Sequence, residues 1–179
     1  LSSGRLTLTN MMMLLPCVPM NEARVKGRSD VAYTLLLQHN YPSWLYSVDQ
    51  GATTIWERWN SYMKDRGMGP RFMNSFNHPA YGCVGEWIWE TCAGISCDAS
   101  GAGFSHLIMK PVPDRRLGFV EAEYKTPYGL VRSSWKYKGD RWIWKFTIPK
   151  GVSASVTLPG DTTAREYSSG TYTIEKILN

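Results

Sequence analysis

Long apolar runs are absent. No stretch of the 179-residue chain approaches the ~20 apolar residues that a membrane-spanning helix needs. The longest, Met11 to Val18, is interrupted by Pro16 and has no cluster of positive charge before it. It therefore reads as neither anchor nor signal segment. Cysteine is scarce and unpatterned. Cys17, Cys83, Cys92 and Cys97 form no CxxC pair and no zinc spacing, which argues against a metal centre and against a disulfide framework. Cys83 and Cys92 fall in an apolar helical stretch, where a thiol acts as a small hydrophobe. Blocks of like charge are also missing. The net charge of +5 would permit nucleic-acid binding, but Lys and Arg are scattered and many alternate with apolar residues. The short group Lys110, Arg115 and Arg116 reads as a solvated turn rather than a phosphate-binding patch. Neither nucleic acid nor membrane is expected as a partner. No internal repeat is visible. The chain opens on Leu1 rather than Met, as a processed or partial product does.

What the chain has in quantity is aromatic surface. It carries eight tryptophans, and 13% of its residues are aromatic. Such rings serve either core packing or stacking on sugar faces, and their position along the chain decides between the two.

The chain has two textures. The first half reads as helix and loop. From Ser29, the run Asp30-Val31-Ala32-Tyr33-Thr34-Leu35-Leu36-Leu37 offers an N-cap and apolar residues at helical spacing, and it stops before Tyr41-Pro42. A loop-rich section with Gly51, Gly67, Gly69 and Pro70 follows. A second helix is expected from His78 or Pro79 to Ala93, with Ala80, Val84, Trp87, Ile88 and Thr91 on one side and Gly94 as its C-cap. Residues 96–103 are small and flexible and read as a linker.

Beyond it the period becomes two. Val131, Ser133, Trp135 and Tyr137 share one face of a strand, Trp142, Trp144, Phe146 and Ile148 another, and Val152, Ala154, Val156 and Leu158 a third. Turns at Lys138-Gly139-Asp140 and Pro149-Lys150-Gly151 separate them. Four to seven short antiparallel strands of this kind predict a sandwich or jelly roll. The boundary is placed near residue 103. Trp135, Trp142 and Trp144 are then expected in the core, while Trp44, Trp56 and Trp59 lie in irregular segments where packing explains them less well.

Two segments carry chemistry. In Gly51-Ala-Thr-Thr-Ile-Trp-Glu-Arg-Trp59, a lone carboxylate, Glu57, sits among Trp56, Arg58 and Trp59. Burial beside aromatics raises a carboxyl pKa and a neighbouring arginine lowers it, so such a group can be tuned as a general base. An ordinary Glu57–Arg58 ion pair on a loop is the competing reading. Further on, Met73-Asn-Ser-Phe-Asn-His78 places Asn74, Ser75, Asn77 and His78 at a helix start. They can hold sugar hydroxyls, or Ser75 or Asn77 can cap the helix.

These blocks, followed by Tyr81-Gly82 and Val84-Gly85-Glu86-Trp87, resemble consecutive parts of bacterial α-L-rhamnosidases of glycoside hydrolase family 78. Gly27 to Tyr33 and Tyr41 to Tyr46 fit upstream; His106 to Pro111, Thr126 to Gly129 and Ser133 to Lys136 fit downstream. The resemblance covers about residues 27–160, in order. It implies that residues 1–103 are part of a helical catalytic domain, the last helices of an (α/α) six-hairpin barrel, with residues 1–26 departing from the pattern. Residues 104–179 would be an antiparallel β-sandwich. It implies an inverting glycosidase that removes terminal α-L-rhamnose from rhamnosides, with no cofactor and no metal. Glu57 would be the general base, His78 would contact rhamnose, and Trp56 and Trp59 would support Glu57 or line the sugar pocket.

The family's general acid lies in an acidic motif well upstream that has no counterpart in this chain. The chain alone is therefore expected to be inactive, to need the N-terminal part of the same enzyme as its partner, and to self-associate through Leu35, Leu36 or Ile88. The alternatives are a carbohydrate-binding module using Tyr128, Trp142 or Trp144, and a structural piece that completes a barrel.

Overall fold

The computed structural model describes Met20, residues 27–99 and residues 101–178; the expectations for residues 1–19 and 21–26 lie outside them. The chain forms two compact units that divide after Gly85, ahead of the boundary expected near 103.

In the first unit, α1 spans Ser29–Leu37 and α2 spans Trp44–Asp49. Helix α1 begins after Arg28 without a side-chain cap, and Arg28 is held to Asp30 by two 3.0 Å bonds. No apolar periodicity marks α2 as a helix, yet its start carries the usual signal. Ser43 is extended, and its hydroxyl accepts the Tyr46 N–H at 3.0 Å, satisfying one of the donors a helix start leaves open. A two-residue hairpin follows, β1 (Tyr62–Met63) with β2 (Gly67–Met68).

The expected second helix is three kinds of turn in series. Ala80–Cys83 is 3₁₀, α3 is Val84–Trp87, and Ile88–Cys92 is a π-turn, closed by Ala93 N–H on Ile88 O at 2.9 Å. A π-turn inserts a residue and rotates the packed face. Ile88 and Ala80, expected on the buried side, are exposed, whereas Thr91 and Cys92 are buried. Cys83 is also not the thiol expected: it is disulfide-bonded. Cys92 and Cys97 keep thiols, the first buried and the second exposed.

The second unit is a β-sandwich. Its strands are β3 (Ile95–Cys97), β4 (His106–Met109), β5 (Phe119–Thr126), β6 (Gly129–Lys138), β7 (Arg141–Ile148), β8 (Ser153–Val156), β9 (Arg165–Tyr167) and β10 (Gly170–Ile177). One sheet runs β10-β7-β6-β5 and the other β3-β4-β8-β9. All neighbours are antiparallel except β4 and β8.

The period-two reading holds in detail. Val131, Trp135, Trp142, Trp144, Phe146, Ile148, Ala154 and Val156 all enter one core with Leu107 and Met109. Burial of that apolar area, at about 25 cal/mol per Å², is the main stabilisation of this unit. Trp142 and Trp144 are 0% exposed, which removes them as platforms for sugar. The stretch read as a linker is the β3–β4 connection: Asp98 N–H donates to His106 O and Gly101 N–H to Asp98 O.

Two side chains of β6 tie the π-turn into this core. Trp135 Nε1–H donates to Cys92 O at 2.7 Å, and Ser133 Oγ–H donates to Ala93 O at 2.6 Å. Carbonyls at a helix C-terminus lack partners within the helix; here strand side chains supply them. Gly94 then turns the chain at φ +69, with so little room that a Cβ would lie 2.1 Å from Pro111 N.

Candidate active site

The two segments singled out in the sequence lie side by side. Glu57 N–H donates to Ser75 O, and His78 N–H donates to Ile55 O, each at 2.8 Å. Since 57 meets 75 and 55 meets 78, the segments run in opposite directions, which brings the Glu57 and His78 stretches together. Thr54 adds a hydroxyl bond to Phe76 O.

The Glu57 carboxylate is half-buried. Its Oε2 accepts the Ser75 N–H at 2.8 Å. A backbone donor orients a carboxylate without neutralising it, and Oε1 has no bond to the described residues. The alternative Glu57–Arg58 ion pair does not form: no bridge joins them among the described residues.

His78 is also half-buried. Its Nδ1 accepts the Ala80 N–H at 3.2 Å, so the neutral ring carries its proton on Nε2 and presents a donor there. His78, not Ser75 or Asn77, thus serves the first turn of Ala80–Cys83. Ser75 Oγ accepts the Asn77 N–H at 3.1 Å, which leaves its own proton to donate. Asn74 is directed elsewhere: its Nδ2 donates to Ser61 O at 3.1 Å, pinning the hairpin side of the loop.

The tryptophans are held by protein. Trp56 is 6% exposed and meets Phe76 edge-on at 5.3 Å. Trp59 is 9% exposed, stacks on Tyr81 at 3.7 Å and 4°, and takes the edge of Trp44 at 5.2 Å. Trp44 Nε1–H donates to Tyr81 O at 2.9 Å, and Ser47 Oγ–H donates to Trp59 O at 3.0 Å. Burial raises the Tyr81 hydroxyl above its ordinary pKa; Tyr41 adds to the rise and Arg58 opposes it. Tyr81, Phe76 and Thr54 were assigned no part in the site from sequence, because nothing in residue spacing marks a ring as a stacking partner. Among the described residues no group of His, Cys, Asp or Glu could hold a metal ion.

The chain thus has a helical part and a β-sandwich, with the Glu57 and His78 stretches bonded backbone to backbone and Trp56 and Trp59 buried. Residues 18–92 match the model of the bacterial alpha-L-rhamnosidase 6 hairpin glycosidase domain, and residues 94–173 match that of the bacterial alpha-L-rhamnosidase C-terminal domain. The chain belongs to the bacterial α-L-rhamnosidase family. It is 44% identical over 135 residues to an alpha-L-rhamnosidase of Formosa agariphila, covering 75% of this chain and 14% of that protein. It is 41% identical over 133 residues to one from an Alteromonas species, covering 74% and 14%. The Streptomyces avermitilis alpha-L-rhamnosidase solved in complex with L-rhamnose is similar with a TM-score of 0.79 at 31% identity, over 88% of this chain and 17% of that one. The native Aspergillus terreus enzyme gives 0.79 at 32%, over 87% and 18%. The chain thus spans about one seventh of the length of these curated relatives, 14%.

Proposed function

We propose that this chain supplies the general base of an inverting α-L-rhamnosidase that releases terminal α-L-rhamnose from rhamnosides. The observation that carries the proposal is the mutual bond between the Glu57 and Ser75 segments: it orients Oε2 and leaves Oε1 without a bond among the described residues. In an inverting reaction water attacks the anomeric carbon as the leaving oxygen is protonated from the opposite face, by a second carboxyl roughly 6.5–9.5 Å away. Glu57 Oε1 accepts the water proton. His78 Nε2–H donates to a rhamnose hydroxyl. Trp56 and Trp59, packed on Phe76 and Tyr81, hold the Glu57 segment in place more than they face the sugar.

Among the described residues no second carboxylate is bonded to Glu57 or His78. The 179-residue chain alone therefore should not release p-nitrophenol from p-nitrophenyl α-L-rhamnoside, and the remainder of the six-hairpin domain is its required partner. The half-buried Leu35 and Leu36 and the exposed Ile88 suit such a neighbour, or self-association in its absence. Carried within a complete six-hairpin domain, Glu57→Gln should lower kcat by about 10²–10⁴-fold with KM little changed, and His78→Ala should chiefly raise KM. Proton NMR of the first-formed rhamnose should show inverted configuration. Full activity of Glu57→Gln, or retained configuration, would overturn the assignment.

A further inference from the structure

We infer that the outer face of the β10-β7-β6-β5 sheet binds an acidic oligosaccharide, independently of the Glu57 site. A shallow cleft of about 620 Å³ lies on this face, lined among others by Phe119, Glu121, Ser134, Lys136, Lys145 and Thr173. The sheet register explains it. Glu121 pairs with Ser134, Ser134 with Lys145, and Lys145 with Thr173, so one polar row crosses all four strands. Four strands span about 14 Å at the usual strand spacing, a length for an oligosaccharide rather than a single sugar.

The flanking groups are already committed to one another. Arg132 bridges to Glu123 at 2.7 Å, Arg141 to Glu175 at 3.1 Å, and Thr147 to Thr171 at 3.0 Å. Among the described residues, Lys136, Lys145 and Glu121 enter no such bridge, and Ser134 and Thr173 make no side-chain bond. Lys136 and Lys145 are diagonal neighbours, because Lys136 pairs with Ile143, two residues before Lys145. Two ammonium groups against one carboxylate favour an anionic ligand.

The exposed aromatic supplies the rest. Phe119 pairs with Lys136 at the end of the cleft and is 63% exposed. A free ring face stacks on the C–H face of a pyranose, the hydroxyls and Glu121 bond its hydroxyl groups, and the lysines meet its carboxylates. A peptide could not add as a strand, since the backbone groups of a sheet face are spent in the ladder.

The test titrates the full chain with oligogalacturonate and follows backbone amide resonances. Expected are shifts at Phe119, Lys136 and Lys145, with affinity lowered about tenfold by Lys136→Glu, by Lys145→Glu and by Phe119→Ala. A neutral cello-oligosaccharide of equal length should bind about tenfold more weakly. All three substitutions lie on a solvent face, so unchanged melting curves confirm that each variant folds. The proposal is overturned if oligogalacturonate does not bind, or if the lysine variants bind it unchanged. It is equally overturned if polyglutamate binds as tightly and is insensitive to Phe119→Ala, which would leave only attraction of a polyanion.

Discussion

Ser133→Ala tests how the sandwich is locked to the π-turn. Ser133 is 0% exposed and its hydroxyl does two things: it donates to Ala93 O at 2.6 Å and accepts Trp144 Nε1–H at 2.9 Å. Trp144 is itself 0% exposed, so no water can replace the hydroxyl from that side. The substitution shortens the side chain by one atom and leaves a buried donor and a buried acceptor without a partner. Each such group costs about 1–3 kcal/mol. The alanine recovers part of this by not burying a hydroxyl of its own, for a net loss of about 3 kcal/mol. For a unit of this size that is a fall in Tm of about 12–24 °C. Ser134→Ala is the control: the next residue faces the opposite side of the sheet, is half-buried and makes no side-chain bond, and it should stay within about 0.5 kcal/mol. Urea unfolding of the 179-residue chain followed by tryptophan fluorescence reads both. If Ser133→Ala melts where Ser134→Ala does, the bonds to Ala93 and Trp144 contribute nothing and the locking argument fails.

Other perturbations follow from the same geometry. Gly94→Ala should cost more than Ser133→Ala, because its φ of +69 disfavours a side chain and the new Cβ would lie 2.1 Å from Pro111 N; a folded variant of near wild-type stability by urea titration would refute this. Asp114 and Asp161 are held below the ordinary carboxylate range, chiefly by hydrogen bonds from Arg116 and Lys176. Their stabilising contribution should be full above about pH 4 and lost as pH falls through the lowered folded values. Denaturation midpoints measured against pH should therefore drop on the acid side, less so in an Asp114→Asn, Asp161→Asn variant. Iodoacetamide should modify Cys97 in the native protein, buried Cys92 only after unfolding, and disulfide-bonded Cys83 only after reduction; mass spectrometry of native Cys92 labelling would refute the assigned burial.

The β-sandwich was legible because a strand face repeats every second residue, so Trp135, Trp142 and Trp144 could be assigned to the core by alternation alone. Short strands without such a pattern were not. Ile95–Cys97 has only three residues, Arg165–Tyr167 likewise, and the first lies at the edge of a stretch whose small residues signal a loop. Parallel pairing of β4 with β8 joins His106 to Ser153 across the intervening hairpins, and no local rule encodes it. Its outer face carries a network equally hidden from sequence. His106 meets Ser153 and Ser155 at 2.7 and 2.9 Å, and Ser155 donates on to Glu166.

The candidate site divides in the same way. Residue types marked a lone carboxylate among indoles and a cluster of Asn, Ser and His as separate candidates, and only the family resemblance joined them and suggested roles. What residue types cannot state is direction. Asn74 and Ser75 are adjacent and chemically similar, yet the amide of Asn74 is spent on Ser61 O while the Ser75 backbone holds Glu57. The difference arises from a backbone registry that links 57 to 75 and 55 to 78, and such registry is fixed by tertiary contacts. Trp59 shows the same limit from the other side. An indole beside a glutamate reads either as a support or as a wall of the sugar pocket, and what favours support is Tyr81, from the turn after His78, stacked on one face at 3.7 Å. The stacked pair then ties the Glu57 segment to the turn that follows His78. A substitution that thins the stack, Tyr81→Ala, would be expected to act on Glu57 and His78 together although it touches neither.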